Sequence, residues 1–437
     1  MNDPLYLHLM WQLERCPPAP ILLGYSGGVD SHVLLVLLAR FVREHAGFTL
    51  HAVHVHHGLN SKADEWASHC ARICSELDVP FTQKSVSINR QPRQSLEALA
   101  RELRYQELAA CLPEGGYLLT AHHQDDQLET LLLGLKRGSG PRGLAAMPAR
   151  QPFACGELLR PLLGISRSLI VDWAQQQRLV WIEDDSNLDT RFDRNFLRNE
   201  IVPRLQERWP GFAAMAGRSS QLCAEQEQLC EELAAQDLLA IGQDDGSLTL
   251  SALAVLSPLR RQNLLRHWLR QAGVAPGYEL LQRIWPELVL ARQDASPELV
   301  VGAATLRRYG DQLFLVCKEQ DLPSEPVPLN LFDEPASLLL GDGHELCWLR
   351  GPGVRLPAEA EAVSVRFGAR GGERLQIVGR AGSRPLKKLW QELGVPPWQR
   401  GRVPLIYYGE QLVAAVGCFV VAGFAAADEQ GVCFSYK

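Results

Sequence analysis

The first two hundred residues alternate short apolar runs with longer amphipathic segments. Short apolar runs fall at residues 21–25, 49–56, 81–88, 117–121 and 158–162. Between them, apolar residues recur at helical spacing, as at residues 61–78, 95–112 and 124–138. Strands that alternate with helices predict an α/β fold with a doubly wound, mainly parallel sheet of Rossmann-like type. In such sheets, ligands bind at the carboxyl ends of the strands.

The pattern changes after residue 210. Helical periodicity predicts further helices at 216–240 and 256–273. Residues 319–365 carry nine acidic residues against two arginines, whereas residues 366–402 carry nine Arg or Lys against two glutamates. We therefore predict an α/β domain at 1–215, a helical domain at 216–320, an acidic connecting segment at 321–365 and a small basic α+β domain at 366–437.

Composition excludes several classes of protein. The 437 residues are 46% hydrophobic and 22% charged, with a formal net charge of -6, which is ordinary for a soluble globular protein. The sequence contains no apolar run that approaches the length of a membrane span, and its N-terminus lacks the basic region of a signal peptide. The eleven cysteines include no C-x-x-C pair, so we expect reduced thiols and a cytoplasmic location.

The motif Ser-Gly-Gly-Val-Asp-Ser at residues 26–31 joins the first predicted strand to a helix. Asp30 or Ser31 is a good N-cap, which puts both glycines just before the helix. Unpaired backbone N–H groups and the helix dipole favour an anion such as phosphate there. No lysine follows the glycines, so the G-x-x-x-x-G-K-[ST] phosphate loop is absent. A tight turn whose glycines only relieve strain is the structural alternative.

A second informative stretch, QDDQLET at residues 124–130, starts another predicted helix. Asp126 and Glu129 are three residues apart and share a helix face, whereas Asp125 turns away from it. Three interpretations stay open. The acids complement the helix dipole, or His122 and His123 join Asp125 and Asp126 as metal ligands. In the third, the carboxylate pair faces the phosphate loop and holds a cation, either Mg²⁺ or the ammonium group of a ligand.

Arginines flank the predicted crevice. Arg101 lies on the helix predicted after the third strand, and Arg194 and Arg198 are spaced i, i+4. The second pair, together with Arg191, follows WIEDDSN at residues 181–187, which we interpret as a strand end on the crevice side. Arginines at helical spacing often form only a solvated face, but this position favours contact with phosphates.

These motifs resemble known families. The loop at 26–31 is similar to the S-G-G-x-D-S loop of the ATP pyrophosphatases, or PP-loop proteins, which cleave ATP between the α- and β-phosphates and form an adenylated intermediate. TAHHQDDQLET, KRGSGPRGL, LLRPLL and WIEDDSNLDTRFDRNFLRNEIVPRL together resemble the tRNA(Ile)-lysidine synthetase family over residues 15–210. Residues 379–407 are similar to the final domain of the longer form of that family.

The resemblance implies an ATP-dependent carbon–nitrogen ligase that modifies tRNA. The family attaches AMP to the C2 oxygen of the wobble cytidine in the CAU anticodon of an isoleucine tRNA, and the ε-amino group of free L-lysine then displaces AMP. By motif matching, the ATP-binding residues are Ser26, Gly27, Gly28, Val29, Asp30, Ser31 and His122, with Asp30 also a candidate Mg²⁺ ligand. The candidate catalytic residues are Asp30, Arg101, Asp126, Glu129, Arg194 and Arg198.

The same resemblance assigns partners to further residues. Asp126 and Glu129 are the candidates for binding lysine through its ammonium group. The candidate tRNA-binding residues are Arg191, Arg384, Lys387, Lys388, Arg400 and Arg402, with Trp390 and Trp398 interleaved among the C-terminal ones. A solvated basic face around core tryptophans is the alternative for that C-terminal group.

Three other functions stay open at this point. A tRNA-thiolating PP-loop enzyme would need reactive cysteines, for which Cys70 and Cys74 are the only candidate pair. A small-molecule amidating adenylase would need only the phosphate loop. A catalytically silent RNA-binding protein would use the loop for structure alone. The oligomeric state also stays open, with a homodimer among the alternatives, and we expect no membrane partner.

Overall fold

The structure is a computed structural model that describes residues 3–56, 62–87, 96–292, 295–317, 322–331, 337–340, 344–358, 361–368, 374–427 and 431–436. The chain divides into two compact units, Met1–Glu232 and Leu233–Lys437. Within the described ranges, no helix is both long and apolar enough to cross a membrane.

A six-stranded sheet forms the centre of the first unit. Its strands are β1 (Pro20–Gly24), β2 (Thr49–His56), β3 (Phe81–Ser85), β4 (Tyr117–Leu119), β5 (Arg150–Phe153) and β6 (Gly156–Leu159). They lie in the order β3-β2-β1-β4-β6-β5, and all neighbours are parallel except β5 and β6. The predicted mainly parallel sheet is confirmed, and the strand predicted at 158–162 overlaps β6. The antiparallel strand β5 was not predicted from the sequence.

The helices of the first unit follow the strands in alternation. They are α1 (Pro4–Leu13), α2 (Val29–Glu44), α3 (Ala63–Glu76), α4 (Leu96–Cys111), α5 (Gln124–Lys136), α6 (Pro141–Leu144), α7 (Arg167–Gln176), α8 (Asp193–Phe196), α9 (Val202–Arg208) and the first part of α10 (Phe212–Ile241). A 3₁₀ turn at Asp185–Leu188 and a π-helical turn at Leu197–Ile201 complete the set. Residues 61, 88 and 95 of the predicted elements lie outside the described residues.

Both faces of the central sheet are buried. Leu22 of β1 and Leu118 of β4 share an apolar cluster with Leu108 of α4. Their neighbours Leu23 and Leu119 belong to a second cluster, which includes the apolar face of α2. Successive side chains of a strand point to opposite faces, so helices cover the sheet on both sides. Burial on two sides explains why these strands are nearly continuous apolar runs.

The strand order reverses beside β1. The chain leaves β1 through α2 to reach β2 on one side, and it reaches β4 on the other side through α4. The crevice outside the carboxyl ends of β1 and β4 is therefore a topological switch point, where open α/β sheets bind ligands. Residues 25–28 follow β1 and residues 120–123 follow β4. The glycine-rich loop at 26–31 and the acidic stretch at 124–130 therefore border this crevice.

The second unit begins with helices packed on a small antiparallel sheet. The helices are the end of α10, α11 (Leu250–Val255), α12 (Pro258–Gln271) and α13 (Tyr278–Ile284). The strands, in the order β7-β10-β9-β8, are β7 (Leu248–Thr249), β8 (Glu298–Val301), β9 (Ala304–Tyr309) and β10 (Gln312–Cys317). Leu264, Trp268, Leu306 and Leu313 share their core. Helices α10 and α12 confirm the predicted helical region, and the sheet is an unpredicted addition.

The rest of the second unit consists mainly of antiparallel sheets. Its strands are β11 (Val327–Pro328), β12 (Ser337–Leu339), β13 (Glu345–Arg355), β14 (Val363–Arg366), β15 (Arg374–Leu375), β16 (Arg384–Pro385), β17 (Leu405–Tyr408), β18 (Gln411–Ala415), β19 (Phe419–Val420), β20 (Ala425–Ala426) and β21 (Gly431–Tyr436), and its helices are α14 (Leu386–Glu392) and α15 (Pro397–Arg400). Strand β13 pairs with β21, and β14 pairs with β17. Part of the acidic segment predicted at 321–365 therefore belongs to the same sheets as the C-terminal residues.

Candidate active site

Hydrogen bonds of two serine hydroxyls stabilise the loop after β1. The Ser31 Oγ donates to the carbonyl of Gly28 at 3.1 Å. It also lies 3.0 Å from the Ser26 Oγ, which accepts from the backbone N–H of Gly28 at 3.4 Å. The two serines predicted to bind phosphate therefore also fix the shape of the loop.

Helix α2 starts earlier than the sequence suggested. It begins at Val29, and Gly28 is the N-cap in an extended conformation. The prediction of Asp30 or Ser31 as N-cap was wrong, because glycine without a capping side chain takes that position and both residues lie in the first helical turn. The positive end of the helix dipole consequently lies at the glycines themselves.

Gly27 is required for both conformation and space. Its φ of 84° lies in the left-handed region that favours glycine. A Cβ atom there would clash with the Ile182 side chain and lie 2.8 Å from the Cys70 Sγ. The Gly27 carbonyl also accepts from the Ile182 N–H at 3.0 Å. Residues 179–184 thus run beside the loop without forming a strand, so the strand predicted at WIEDDSN was wrong.

Asp30 has a carboxylate oxygen without a partner. Its Oδ1 is buried and accepts no hydrogen bond from the described residues, and its Oδ2 lies 3.7 Å from the Nε2 of His123. Burial raises the pKa of this carboxyl above its usual range, although His123 and Arg167 oppose the shift. A buried carboxylate oxygen of this kind suits a cation brought by a ligand or a metal ion.

His123 connects the first turn of α2 to that of α5. It is the N-cap of α5, where its Nδ1 accepts from the Asp126 N–H at 3.4 Å and its own N–H donates to the Asp126 Oδ2 at 3.0 Å. Because Nδ1 accepts, Nε2 carries the proton of the neutral ring. This Nε2 lies 3.3 Å from the Asp126 Oδ2 and 3.7 Å from the Asp30 Oδ2. One donor therefore faces carboxylates from both sides of the crevice.

Arg198 binds both acids of the α5 face. Its Nη2 donates to the Asp126 Oδ1 at 2.8 Å, and its Nε and Nη2 donate to the two Glu129 oxygens at 2.7 and 3.0 Å. Glu129 is only 1% exposed, so its contact with Arg198 is a bidentate ion pair with a buried acid. Asp126 and Glu129 do share a face, as the spacing predicted, and that face meets an arginine.

The pKa values within this cluster shift in different directions. Burial raises the pKa of Glu129, and Arg198 offsets only part of the rise. Burial also acts to raise the pKa of Asp126, but His123, His122 and Arg198 outweigh it, so this pKa falls below its usual range. Burial acts to lower the pKa of Arg198, whereas the surrounding acids raise it overall. Asp126 is therefore the more firmly ionised of the two helix acids.

Arg194 approaches the same acid from one turn earlier. Its Nε lies 3.2 Å from the Glu129 Oε2. The π-helical turn that contains Arg198 follows at Leu197–Ile201. Pro203, at the start of α9, explains this turn, because proline has no N–H for the helical ladder and its ring crowds the preceding turn. The two arginines thus reach one carboxylate from a locally widened helix.

Two other predicted residues lie near this cluster. His122 lies beside Asp126, and burial lowers its pKa to about 3, so its ring is neutral at pH 7. The Arg101 guanidinium lies 5.2 Å from the centre of the Tyr105 ring. Its charge acts on His122 and opposes protonation of that ring. Arg101 is therefore close enough to influence the crevice electrostatically.

One acid and one arginine among the predicted residues form their contacts away from this cluster. Asp125 turns away, as predicted, and accepts from the Gln206 amide at 3.2 Å. Arg191 is exposed and forms a bidentate ion pair with Asp189 at 2.7 to 3.1 Å. Its role in tRNA binding stays a prediction.

Three domain families match the chain. The PP-loop domain matches residues 8–205, the TilS substrate binding domain matches residues 248–314 and the TilS substrate C-terminal domain matches residues 363–435. The tRNA(Ile)-lysidine synthase of Pectobacterium atrosepticum is 49% identical over 427 residues, which cover 96% of this chain and 94% of that protein. The chain belongs to the tRNA(Ile)-lysidine synthase family. The enzyme of that name from Escherichia coli O157:H7 is 46% identical and covers 95% of this chain and 96% of its own.

Solved structures give weaker likenesses to this tRNA(Ile)-lysidine synthase family member. The U34-tRNA thiolase NcsA from Methanococcus maripaludis is 16% identical, covers 51% of this chain and 78% of its own, and has a TM-score of 0.44. A crystal structure of a TILS C-terminal domain is 22% identical, covers 24% of this chain and 90% of its own, and has a TM-score of 0.20. The family assignment therefore rests on the sequence relatives.

The C-terminal basic residues of this lysidine synthase family member differ in their contacts. Lys387 and Lys388 of α14 are exposed, and neither ammonium group bonds to a described residue. Arg384 lies 3.7 Å from Glu392, whereas Arg400 donates to a backbone carbonyl at 2.9 Å. The two lysines are therefore the more available cations of this predicted tRNA-binding group.

The interleaved tryptophans are structural. Trp390 is buried in an apolar cluster of the C-terminal region. Trp398 packs edge-on against Tyr309 and Phe314, with ring centres 6.1 and 5.4 Å apart. Arg402 is half-buried. Trp390 is thus a core tryptophan, whereas Trp398 is half-buried against aromatic rings, and the predicted role of the basic residues stays open.

The lysidine synthase site fits Mg²⁺ when the substrate supplies ligands. Among the described residues, no group of three or more His, Cys, Asp or Glu could hold a metal ion. A site made of His122, His123, Asp125 and Asp126 is therefore not supported. The unpartnered Oδ1 of Asp30 is a suitable single ligand, because Mg²⁺ commonly takes one or two carboxylates together with water and substrate phosphates.

The position of His123 between two carboxylates was not predicted from the sequence, where this histidine was a candidate only for metal binding. A usable signal was present, because His123 directly precedes α5 and Asp126 follows three residues later, which is the arrangement of a capping box.

Proposed function

We propose that the chain ligates L-lysine to C2 of the wobble cytidine in the CAU anticodon of an isoleucine tRNA, and converts ATP to AMP and pyrophosphate. Near full-length relatives named tRNA(Ile)-lysidine synthase support this proposal. The single structural observation behind it is the contact of His123 with both Asp30 and Asp126. That contact joins a phosphate loop and an acidic cluster in one crevice, as a reaction sequence that uses ATP and then an amine requires.

The first proposed step transfers AMP to the tRNA. The cytidine C2 oxygen attacks the α-phosphorus of ATP, and the bond from that phosphorus to the bridging oxygen breaks to release pyrophosphate. The N–H groups at the start of α2 and the hydroxyls of Ser26 and Ser31 bind the phosphates, and the helix dipole stabilises the leaving charge. Asp30 would hold Mg²⁺ with the phosphates, and this ion would neutralise charge on pyrophosphate when bound.

The second proposed step requires the free amine of lysine. With an ordinary lysine pKa near 10.4, forming the amine at pH 7 costs about 4 to 5 kcal/mol unless the site lowers that pKa. The cluster contains three carboxylates (Asp30, Asp126 and Glu129) and two guanidinium groups (Arg194 and Arg198). The Asp126 carboxylate, whose pKa is lowered, attracts the ammonium group. Attack of the amine on C2 then expels AMP, and the proton passes to a carboxylate or to water.

The acids of α5 have different roles in this proposal. Both Glu129 oxygens already accept from Arg198, and the residue is 1% exposed. We therefore assign the direct ammonium contact to Asp126. Glu129 instead positions Arg194 and Arg198, which stabilise the negative charge that develops on the phosphate. Direct lysine binding by Glu129, which the family motif implies, stays a prediction.

The tRNA contacts in this proposal come from two kinds of residue. Lys387 and Lys388, with Arg384, Arg400 and Arg402, bind backbone phosphates, which supplies salt-dependent affinity. Unstacked anticodon bases are read by their edges near the crevice. We propose the regions 216–320 and 366–437 for tRNA binding. ATP, free lysine and tRNA are cytoplasmic substrates, so a cytoplasmic location stays our expectation, and a homodimer stays untested.

The cysteines favour ligation over thiolation. Cys70 and Cys74 are fully buried on α3, and burial raises the pKa of each thiol to about 12. Thiols of that kind are poor nucleophiles and poor metal ligands at pH 7. The only cysteine pair that the sequence offered for sulfur transfer is therefore unsuited to it.

The test is transfer of labelled lysine. The full chain is incubated with ATP, Mg²⁺, labelled L-lysine and a transcript of isoleucine tRNA with a CAU anticodon. We expect label in the RNA, with AMP and pyrophosphate formed in equal amounts and no label without ATP. A transcript whose wobble cytidine is changed to uridine is the control. Label from a sulfur donor instead of lysine, or equal labelling of the control, would contradict the proposal.

A further inference from the structure

Arg160 is a buried cation at the end of β6. It is 4% exposed, and its Nη1 donates to the Pro148 carbonyl at 2.6 Å. Its Nε is buried and has no hydrogen-bond partner among the described residues. Within the same part of the chain, no carboxylate forms an ion pair with it. The backbone carbonyl therefore satisfies only part of a guanidinium group that has left water.

Arg160 lies at the same edge of the sheet as the acidic cluster. Strand β6 is the parallel neighbour of β4, and the Thr120 N–H donates to the Leu159 carbonyl at 3.1 Å. The chain continues from Leu159 to Arg160 and from Thr120 to His122. The charge of Arg160 acts on the His122 ring. Arg160 thus belongs to the carboxyl edge where the proposed reaction takes place.

Arg101 brings a second cation to this position. Tyr105 is a neighbour of both arginines, since the Arg101 guanidinium lies 5.2 Å from its ring centre and Arg160 interacts with its side chain. No described carboxylate forms an ion pair with Arg101 either. The two positive charges act on each other and on His122, whose ring is neutral. The result is a concentration of positive charge next to the acidic cluster.

Arg198 differs from Arg160 in having acidic partners. Arg198 is also largely withdrawn from water, and there the chain supplies Asp126 and Glu129 as counter-charges. Guanidinium groups stay charged in proteins, and a buried charge without a counter-charge is costly. Burial lowers the pKa of Arg160, as expected for a charge without compensation. A negatively charged ligand would supply the counter-charge that the described residues do not give Arg160.

We propose that Arg160 and Arg101 form a phosphate-binding site beside the acidic cluster. Two guanidinium forks match the oxygens of a phosphate group in geometry and charge. The proposal rests on the proposed function, because that reaction brings phosphate from two sources. One is the ATP or AMP phosphate, and the other is a phosphodiester that flanks the reacting cytidine of the tRNA.

The variants are Arg160→Met, Arg160→Lys and, as a matched control, Arg150→Met. Arg150 lies on β5 of the same hairpin, but its guanidinium already forms an ion pair with Glu157. Isothermal titration of the full-length variants measures binding of MgATP in one arm. The other arm measures binding of the isoleucine tRNA transcript without ATP at several salt concentrations. Adenosine, which lacks phosphate, is the reference ligand in the first arm.

We expect Arg160→Met to lower the affinity for one of these two ligands by about 10- to 100-fold, as for loss of a charged hydrogen bond. Arg160→Lys should keep part of the affinity that Arg160→Met loses, and Arg150→Met should bind both ligands with an affinity within twofold of the wild type. In the ATP arm, adenosine affinity should not change. In the tRNA arm, the slope of log affinity against log salt should fall by about 1, which reports one lost phosphate contact. The arm that responds identifies the source of the phosphate.

The proposal is overturned if Arg160→Met binds both ligands within twofold of Arg150→Met. If Arg160→Met fails to fold, Arg101→Met replaces it with the same expected and overturning results. Lysine transfer by the wild-type chain is measured in parallel. Transfer with unchanged phosphate affinity in the variants defeats only this inference, whereas changed affinity without transfer by the wild type defeats only the proposed function.

Discussion

The Nε2 atom of His123 lies 3.7 Å from the Oδ2 atom of Asp30. These residues come from the first turns that follow β1 and β4, the two strands that border the switch point of the sheet. Their contact joins the loop suited to phosphate with the acids suited to an ammonium group. Two half-reactions, one that consumes ATP and one that consumes lysine, can therefore share one crevice.

Asp30→Asn should abolish the adenylation step. The substitution keeps the shape of the side chain but removes the charge that suits a cation beside the ATP phosphates. The measurement is tRNA-dependent release of pyrophosphate without lysine, which we expect to fall by at least 100-fold. Asp125→Asn is the matched control, because Asp125 lies on the first turn of α5 but turns away and bonds to Gln206. Equal loss in both variants would contradict a special role for Asp30.

Asp126→Asn should raise the lysine requirement. The amide oxygen can still accept from the His123 N–H, so the cap of α5 is kept, while the charge that attracts the ammonium group is lost. We expect the KM for lysine to rise by 10-fold or more, with pyrophosphate release in the absence of lysine reduced much less. An unchanged KM for lysine would show that Asp126 does not bind this substrate.

The pairing of Glu129 with Arg198 should appear as strong coupling in stability. Removing one partner of a buried ion pair leaves the other charge uncompensated, so Glu129→Gln and Arg198→Met should each lower the free energy of unfolding by about 3 kcal/mol. The double variant should lose less than the sum, because it removes the Glu129–Arg198 pair as a whole and leaves only the charges of Asp126 and Arg194. Urea denaturation of the four proteins provides the cycle. Additive losses would mean that the two side chains do not interact in solution.

Neutralising Lys387 and Lys388 together should weaken tRNA binding. Both are exposed on α14, and their substitution by glutamine leaves the buried Leu386, Leu389 and Trp390 of that helix in place. The slope of log affinity against log salt should fall by about 2, one for each phosphate contact. The lysine requirement of the catalytic step should not change. Wild-type affinity and slope would instead indicate a solvated basic face.

Local patterns in the sequence predicted the parts of the site that depend on local geometry. The glycine-rich junction after residues 21–25 predicted a strand, a phosphate-type loop and a helix, and the spacing of Asp126 and Glu129 predicted a shared face. The N-cap was wrong because Gly28 adopts the cap conformation without a capping side chain. Hydroxyl and carboxylate side chains dominate capping statistics, which made Asp30 and Ser31 the stronger candidates on sequence alone.

Contacts between distant segments could not be predicted. Glu129 and Arg198 are 69 residues apart, and their contact depends on how α5, α8 and α9 pack. The same holds for Arg160, which the sequence showed only as the arginine of the LLRPLL motif, without its surroundings. The strand predicted at WIEDDSN failed because its apolar Ile182 packs against Gly27 of the loop rather than within the sheet. Tertiary packing decided each of these cases.

The most direct test of the account follows the α-phosphate of ATP. The full chain is mixed with ATP labelled at the α-phosphorus and the isoleucine tRNA transcript, first without lysine and then with it. We predict that label enters the RNA as bound AMP before lysine is added, and leaves as free AMP when lysine becomes attached. Label that never enters the RNA, or that appears instead on lysine, would contradict an adenylated tRNA intermediate formed in this crevice.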